Sequence, residues 1–213
     1  MTTGKFLVIE GPDGSGSSTQ VALIKKYLEQ KGEKVLDTKE PTNNLIGGLI
    51  RGVLTGEWKL GSYGLQLLFC ADRAHHLERE IMPALEKGWN FLTDRYLPST
   101  VVYGSMDLAN QHYNNKGLDH WWKVFMEINR EFKVPDLTLL LDLDAKICME
   151  RIQSSRAQTE LFETEETLRK VVEGYRRFAQ EYPDTVLIDG TGDAQEVHER
   201  IRKTIEERLY HFK

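Results

Sequence analysis

The chain has 213 residues, enough to bury a substantial core without a disulfide or metal staple. With 40% hydrophobic and 29% charged residues it reads as globular rather than disordered. A net charge of −5 argues against a general nucleic-acid or membrane binder, although a local basic pocket is compatible with it, and no apolar run nears the ~20 residues that span a bilayer. Cys70 and Cys148 each lie within an apolar stretch, which fits free thiols in a reducing compartment. The first residues lack signal-peptide architecture, so a cytoplasmic protein is expected.

In chain order, the first element is the apolar run Phe6-Leu7-Val8-Ile9, continuous as in a strand covered on both faces. Val21, Ile24 and Leu28 then recur at helical spacing and Gly32 closes the segment, which predicts a helix over 18–30. Val35-Leu36 gives a weak second strand. Helices are expected over 45–54 and 65–85, with Gly88 as the stop, followed by a third strand at 89–93. The polar stretch 103–117, with its asparagines, reads as a loop carrying a short helix. Residues 137–143 form the most apolar strand. Leu168, Val171, Val172, Tyr175, Phe178 and Tyr182 mark a long amphipathic helix, Val186-Leu187-Ile188 a fifth strand, and Val197, Ile201, Ile205 and Leu209 the last helix. Strands alternating with helices imply right-handed crossovers and an α/β fold, a parallel sheet with helices on both faces. No repeat, low-complexity tract or linker divides the chain, so one domain over 1–213 is expected.

Gly11-Pro12-Asp13-Gly14-Ser15-Gly16-Ser17-Ser18-Thr19 follows the first strand and opens the first helix. In that context glycines let backbone N–H groups converge on phosphate oxygens, and the helix N-terminus adds partial positive charge. Gly11, Gly14, Ser15, Gly16, Ser17, Ser18 and Thr19 are therefore candidate phosphate contacts, with Ser18 where the motif needs a hydroxyl for Mg²⁺. The pattern G-x-x-x-x-G-K-[ST] asks for lysine where Ser17 stands. Loss of one preorganised donor typically costs about 10²–10³ in rate. Either another cation substitutes, or the enzyme is slow, or it is not an enzyme.

Phe69 and Arg73 are four residues apart on a predicted helix and so share a face, a ring and a guanidinium suited to a nucleobase. Asp94-Arg95-Tyr96 ends the third strand, at the carboxyl edge where doubly wound sheets bind ligands. Asp94 suits the Mg²⁺ water shell or the ordering of the phosphate loop, and Arg95 an acceptor phosphate. The adjacent pair His75-His76 cannot face one metal ion, and Trp121-Trp122 suits a core or dimer contact.

In order and approximate spacing, several stretches resemble the thymidylate kinases of the P-loop nucleoside-monophosphate kinase family over nearly the whole chain. These are the phosphate loop, Glu40-Pro41-Thr42, Leu67-Leu68-Phe69-Cys70-Ala71-Asp72-Arg73, Asp94-Arg95-Tyr96, Pro135-Asp136-Leu137-Thr138 and Ile188-Asp189-Gly190. The resemblance implies a three-layer P-loop kinase fold with a five-stranded parallel sheet. It implies phosphoryl transfer from ATP to dTMP, giving dTDP and ADP, with Mg²⁺ as cofactor, in a homodimer. Thymine would lie on Phe69 and Arg73, the acceptor phosphate on Arg95 with Arg51 as helper, and the deoxyribose near Asp13 and Tyr103. Ser99 and Thr100 match the family's small hydroxyl positions on the substrate side. Asp13, Asp94, Arg95 and Arg156 form the implied catalytic set. A lid over ATP would occupy 151–163, with Arg151 and Arg156 as its cations. Gly14 stands where some relatives carry arginine, and Glu160 and Leu161 where another arginine is usual. Gly104 replaces a common glutamine, which keeps another pyrimidine monophosphate such as dUMP open as acceptor. Ser17 likewise keeps open a nucleotide-binding paralogue with impaired catalysis.

Overall fold

The strand expected at the N-terminus is β1, Phe6–Glu10, in a computed structural model that describes residues 3–155 and 164–210. After it come α1 (Ser17–Gln30), β2 (Val35–Lys39), α2 (Leu45–Leu54), α3 (Ser62–His76), α4 (Met82–Glu86) and β3 (Asn90–Asp94). The second half contains α5 (Leu97–Asn110), α6 (Leu118–Ile128), β4 (Leu137–Asp142), α7 (Ala145–Ser155), α8 (Glu165–Glu181), β5 (Thr185–Asp189) and α9 (Ala194–Arg208). The five strands are all parallel, in the order β2-β3-β1-β4-β5.

Side chains alternate along a strand, and β1 uses both faces. Leu7 and Ile9 join Ile24, Leu28, Ile201 and Ile205 in one core, whereas Phe6 and Val8 join Leu77, Ile81 and Phe91 in another. β4 divides likewise: Leu139 and Leu141 face the first core, and Leu140 packs with Val102, Phe125 and Val171 of α5, α6 and α8. That double burial makes the central strands continuously apolar. The outer strands are less apolar, and Asp37 and Lys39 of β2 are exposed. The three-layer α/β expectation is met.

Two expectations are corrected. The stretch 103–117 is not mainly loop, because α5 runs to Asn110. Val101, Val102, Met106 and Leu108 bury one side of that helix against α6 and α8, and this packing outweighs its polar residues. Only beyond Asn110 does the chain turn, with left-handed backbone at His112, Asn114 and Asn115. The helix expected over 65–85 begins earlier, at Ser62, and is interrupted by a π-helical turn at Leu77–Ile81. Pro83 explains the interruption, since it has no N–H to give to the preceding turn. Trp121 and Trp122 are buried core residues.

Candidate active site

The phosphate loop joins β1 to α1. Ser15 N–H donates to Pro12 O at 3.0 Å, Gly16 caps the helix, and no side chain among the described residues caps its first turn, so the N–H groups of that turn remain available to an anion. Gly14 has φ +79°, and a Cβ there would stand 2.4 Å from Cys148 O of α7. A side chain at position 14 therefore has no room. Ser17 and Thr19 lie in the first turn of α1.

Register places Asp94 beside Ile9 of β1 on one side and Lys39 of β2 on the other. Ser18 Oγ donates to Asp94 Oδ2, and Asp94 Oδ1 is buried without a partner among the described residues. A hydroxyl beside a carboxylate with an unused oxygen suits a hard divalent cation completed by water and phosphate oxygens. Lys39 lines a second cavity together with Ser18 and Asp94.

Arg95 adopts φ +73°, a left-handed conformation unusual for a branched-off side chain of this size. Its guanidinium donates to Asp13 Oδ1 at 2.6 Å, Ser99 Oγ at 3.0 Å and Tyr175 OH at 3.1 Å, and lies over the Tyr103 ring. Burial opposes its charge, but Asp13 and the surrounding oxygens hold its pKa well above the ordinary value. Tyr103 OH donates to Asp13 Oδ2 at 3.2 Å. Behind this pair Glu10, fully buried, accepts from Tyr96 N–H, Ser99 Oγ and Tyr175 OH at 2.8–2.9 Å. Burial pushes the Glu10 carboxyl up, against the Arg95 charge and these donors.

A cavity of about 290 Å³ opens from Arg95 toward α3. Asp13, Phe69, Arg73 and Arg95 line it, as do Ser99, Thr100 and Tyr103. Arg73, 1% exposed, donates to Glu40 Oε2 at 2.8 Å, Asn129 Oδ1 at 2.6 Å and Thr100 Oγ1 at 3.1 Å. Glu40 in turn takes a hydrogen bond from His76 Nδ1 at 3.0 Å. Gly104 faces Gln66 of α3, whose carboxamide fills the space a side chain would need.

The remaining candidates sit at the margins. Arg51 does not line the cavity; its guanidinium donates to the carbonyls of Pro41 and Thr42, the first of which does line it. Arg151 donates to Ser15 O at 3.2 Å and to Gly190 O and Gly192 O, bridging the phosphate loop to the turn after β5. Gly11 lies against Ser15 and Leu141. Arg156, Glu160 and Leu161, with most of the expected lid, lie outside the described residues.

The family model described as thymidylate kinase matches residues 9–201. The chain belongs to the thymidylate kinase family. A probable thymidylate kinase of Thermococcus kodakarensis is 37% identical over 96% of this chain and 98% of its own length. One of Pyrococcus horikoshii is 35% identical over 97% and 98%, and a thymidylate kinase of Caldicellulosiruptor saccharolyticus is 34% identical over the same shares. Membership makes the chain a nucleoside-monophosphate kinase, a transferase that moves a phosphoryl group from ATP to dTMP. No helix among the described residues is long and apolar enough to cross a membrane.

The sequence reading of this thymidylate kinase missed its supporting carboxylates and their partners. Asp72 accepts from Thr42 N–H at 2.7 Å and Thr42 Oγ1 at 2.6 Å, and Glu80 accepts from Asn44 Nδ2 at 2.9 Å, so the loop after β2 is fastened to the α3–α4 helix. Asp72, His76 and Glu80 recur every four residues, a periodicity that could have been read as one polar face. Glu10, Gln66 and Tyr175 carried no such signal.

Proposed function

We propose that dTMP occupies the 290 Å³ cavity, with its base on Phe69, its sugar near Asp13 and Tyr103, and its phosphate at Arg95. The observation that carries this reading is Arg95: a constrained guanidinium between Asp13, Ser99 and Tyr175, lining a cavity that Phe69 and Arg73 also line. ATP phosphates would rest on the amides of Gly14, Gly16, Ser17, Ser18 and Thr19, the Ser15 amide being held by the Pro12 carbonyl, with Arg151 donating to the same loop. Ser18 and Asp94 would hold Mg²⁺, which supplies charge neutralisation to the transferring phosphates. An oxygen of the dTMP phosphate attacks the γ-phosphorus of ATP as the bond to ADP breaks. The acceptor is already anionic at neutral pH, so no base and no covalent enzyme intermediate is required. The residues position the reactants and neutralise charge. Asp13 and Glu10 act on this step through Arg95, which they hold in place.

Lys39 beside Asp94 and Arg151 on the phosphate loop support a site in which other cations compensate for Ser17. The chain would work as one kinase domain, in the cytoplasm, where the buried free thiols Cys70 and Cys148 stay reduced. It would pair as a homodimer. Purified protein given ATP, Mg²⁺ and each deoxynucleoside monophosphate is expected to form dTDP, and no dTDP above background would refute the reading. Ser17→Lys is expected to change kcat by no more than a few-fold. A rise of about 10²–10³ would instead show a site impaired by the missing donor.

A further inference from the structure

Gln66 lies on α3 three residues before Phe69 and seven before Arg73, so the three fall along one stripe of the helix, and all three line the 290 Å³ cavity. The residue is 3% exposed, and its Oε1 is buried with no hydrogen-bond partner among the described residues. Arg73 Nε is buried and unpaired in the same way. Buried polar groups in folded proteins are nearly all hydrogen-bonded, because the bond given up to water must be replaced. Here the residues that carry an orphaned acceptor and an orphaned donor are separated by a backbone rise of about 10 Å along the helix, on either side of the Phe69 position.

The opposite wall is shaped to admit the amide. A Cβ at Gly104 of α5 would stand 2.9 Å from Gln66 Cδ and 3.0 Å from its Oε1. Only glycine lets α5 pass so close, and the carboxamide is thereby held between α3 and α5 at the cavity wall. A carboxamide carries one acceptor and one donor group side by side. The imide edge of a pyrimidine dione carries the complement, an N3–H between two carbonyl oxygens.

We propose that Gln66 reads that edge of dTMP: its oxygen accepts from N3–H and its nitrogen donates to the adjacent carbonyl oxygen while the ring lies on Phe69. The proposal rests on the assignment of this cavity to dTMP. It makes Gln66 a specificity-determining residue, because a site built to hydrogen-bond a group rejects analogues without it far more strongly than an apolar wall does.

The test compares dTMP with its N3-methyl analogue, which has no N3–H, in the native sequence and in Gln66→Met, which keeps the volume and removes the amide. Gln66→Met is expected to raise KM for dTMP about 10–100-fold, leave kcat within about 3-fold, and lower the preference for dTMP over the analogue at least 10-fold. KM for ATP should not move. Without nucleotide, the unfolding midpoint should stay level or rise, since Oε1 has no protein partner to lose. Gly104→Ala is the second variant: it must displace Gln66, so the same two changes are expected in smaller measure, and it carries the test should Gln66→Met not fold. An unchanged KM and preference would overturn the proposal, as would a lowered midpoint with the preference intact. If the native protein forms no dTDP, the cavity assignment fails and Gln66 falls with it. If it forms dTDP while the variants keep their discrimination, only the role of Gln66 is lost.

Discussion

Asp107 lies one turn beyond Gly104 on α5 and lines the same cavity, yet no hydrogen bond or ion pair among the described residues offsets its burial. That burial pushes its carboxyl up from 3.8 to about 6. Between those values the native state binds more protons than the unfolded chain, so stability falls as pH rises from about 4 to about 6 and levels off above. Asp107→Asn removes this slope. In the absence of nucleotide we expect it to stabilise the protein at pH 7.5 by up to about 3 kcal/mol, a gain that vanishes below pH 4. Urea melts at pH 4, 5, 6 and 7.5 check this, and an equal effect at every pH would refute it. The contrast with Arg73 shows what single residues disclose in the sequence. The spacing of Phe69 and Arg73 was legible because four residues on a helix fix a shared face. That Arg73 would be almost fully buried was not, since its counter-ion Glu40 lies 33 residues away and its other acceptors, Thr100 and Asn129, 27 and 56 away.

Elements were legible where periodicity and packing agree. β1, β4 and the helices α8 and α9 show their apolar stripes directly, and these stripes are what the two faces of the sheet bury. α5 was hidden because its polar residues Ser105, Asp107 and Asn110 conceal a stripe that only α6 and α8 complete. The loop after β2 is a further case, structured by side chains rather than by its own backbone. Glu40 bridges Arg73 and His76, with side-chain exposures of 2%, 1% and 0%. Removing one member of such a buried pair strands the other charge, at a cost of about 3–5 kcal/mol. Glu40→Gln is therefore expected to lose that much stability in denaturant unfolding without nucleotide, a large share of the ~5–15 kcal/mol that holds a domain folded. A loss below about 1 kcal/mol would mean that Asn129 and Thr100 suffice to solvate the guanidinium.

At the scale of the molecule, a chain of net charge −5 in a family that acts on two polyanionic nucleotides has several of its arginines grouped. Arg73 and Arg95 line one cavity, Arg51 braces the loop at its edge, and Arg151 holds the phosphate loop. The same negative charge bears on self-association. α2 and α3 pack together and leave Leu45, Leu49 and Leu67 exposed at 81%, 43% and 41%, with Leu45 and Leu49 one turn apart on a single face. In a two-fold pairing each leucine counts twice, and each fully buried leucine contributes about 1.5–3 kcal/mol. Two copies of like net charge repel at low ionic strength, and salt screens that repulsion without weakening apolar contact. A dimer formed through this face should therefore tighten, or hold level, between 50 and 500 mM NaCl in sedimentation equilibrium. Leu45→Glu with Leu49→Glu should yield a folded monomer whose unfolding no longer depends on protein concentration. A dimer that loosens with salt, or one that survives the double substitution, would place the interface on other, charge-paired surfaces.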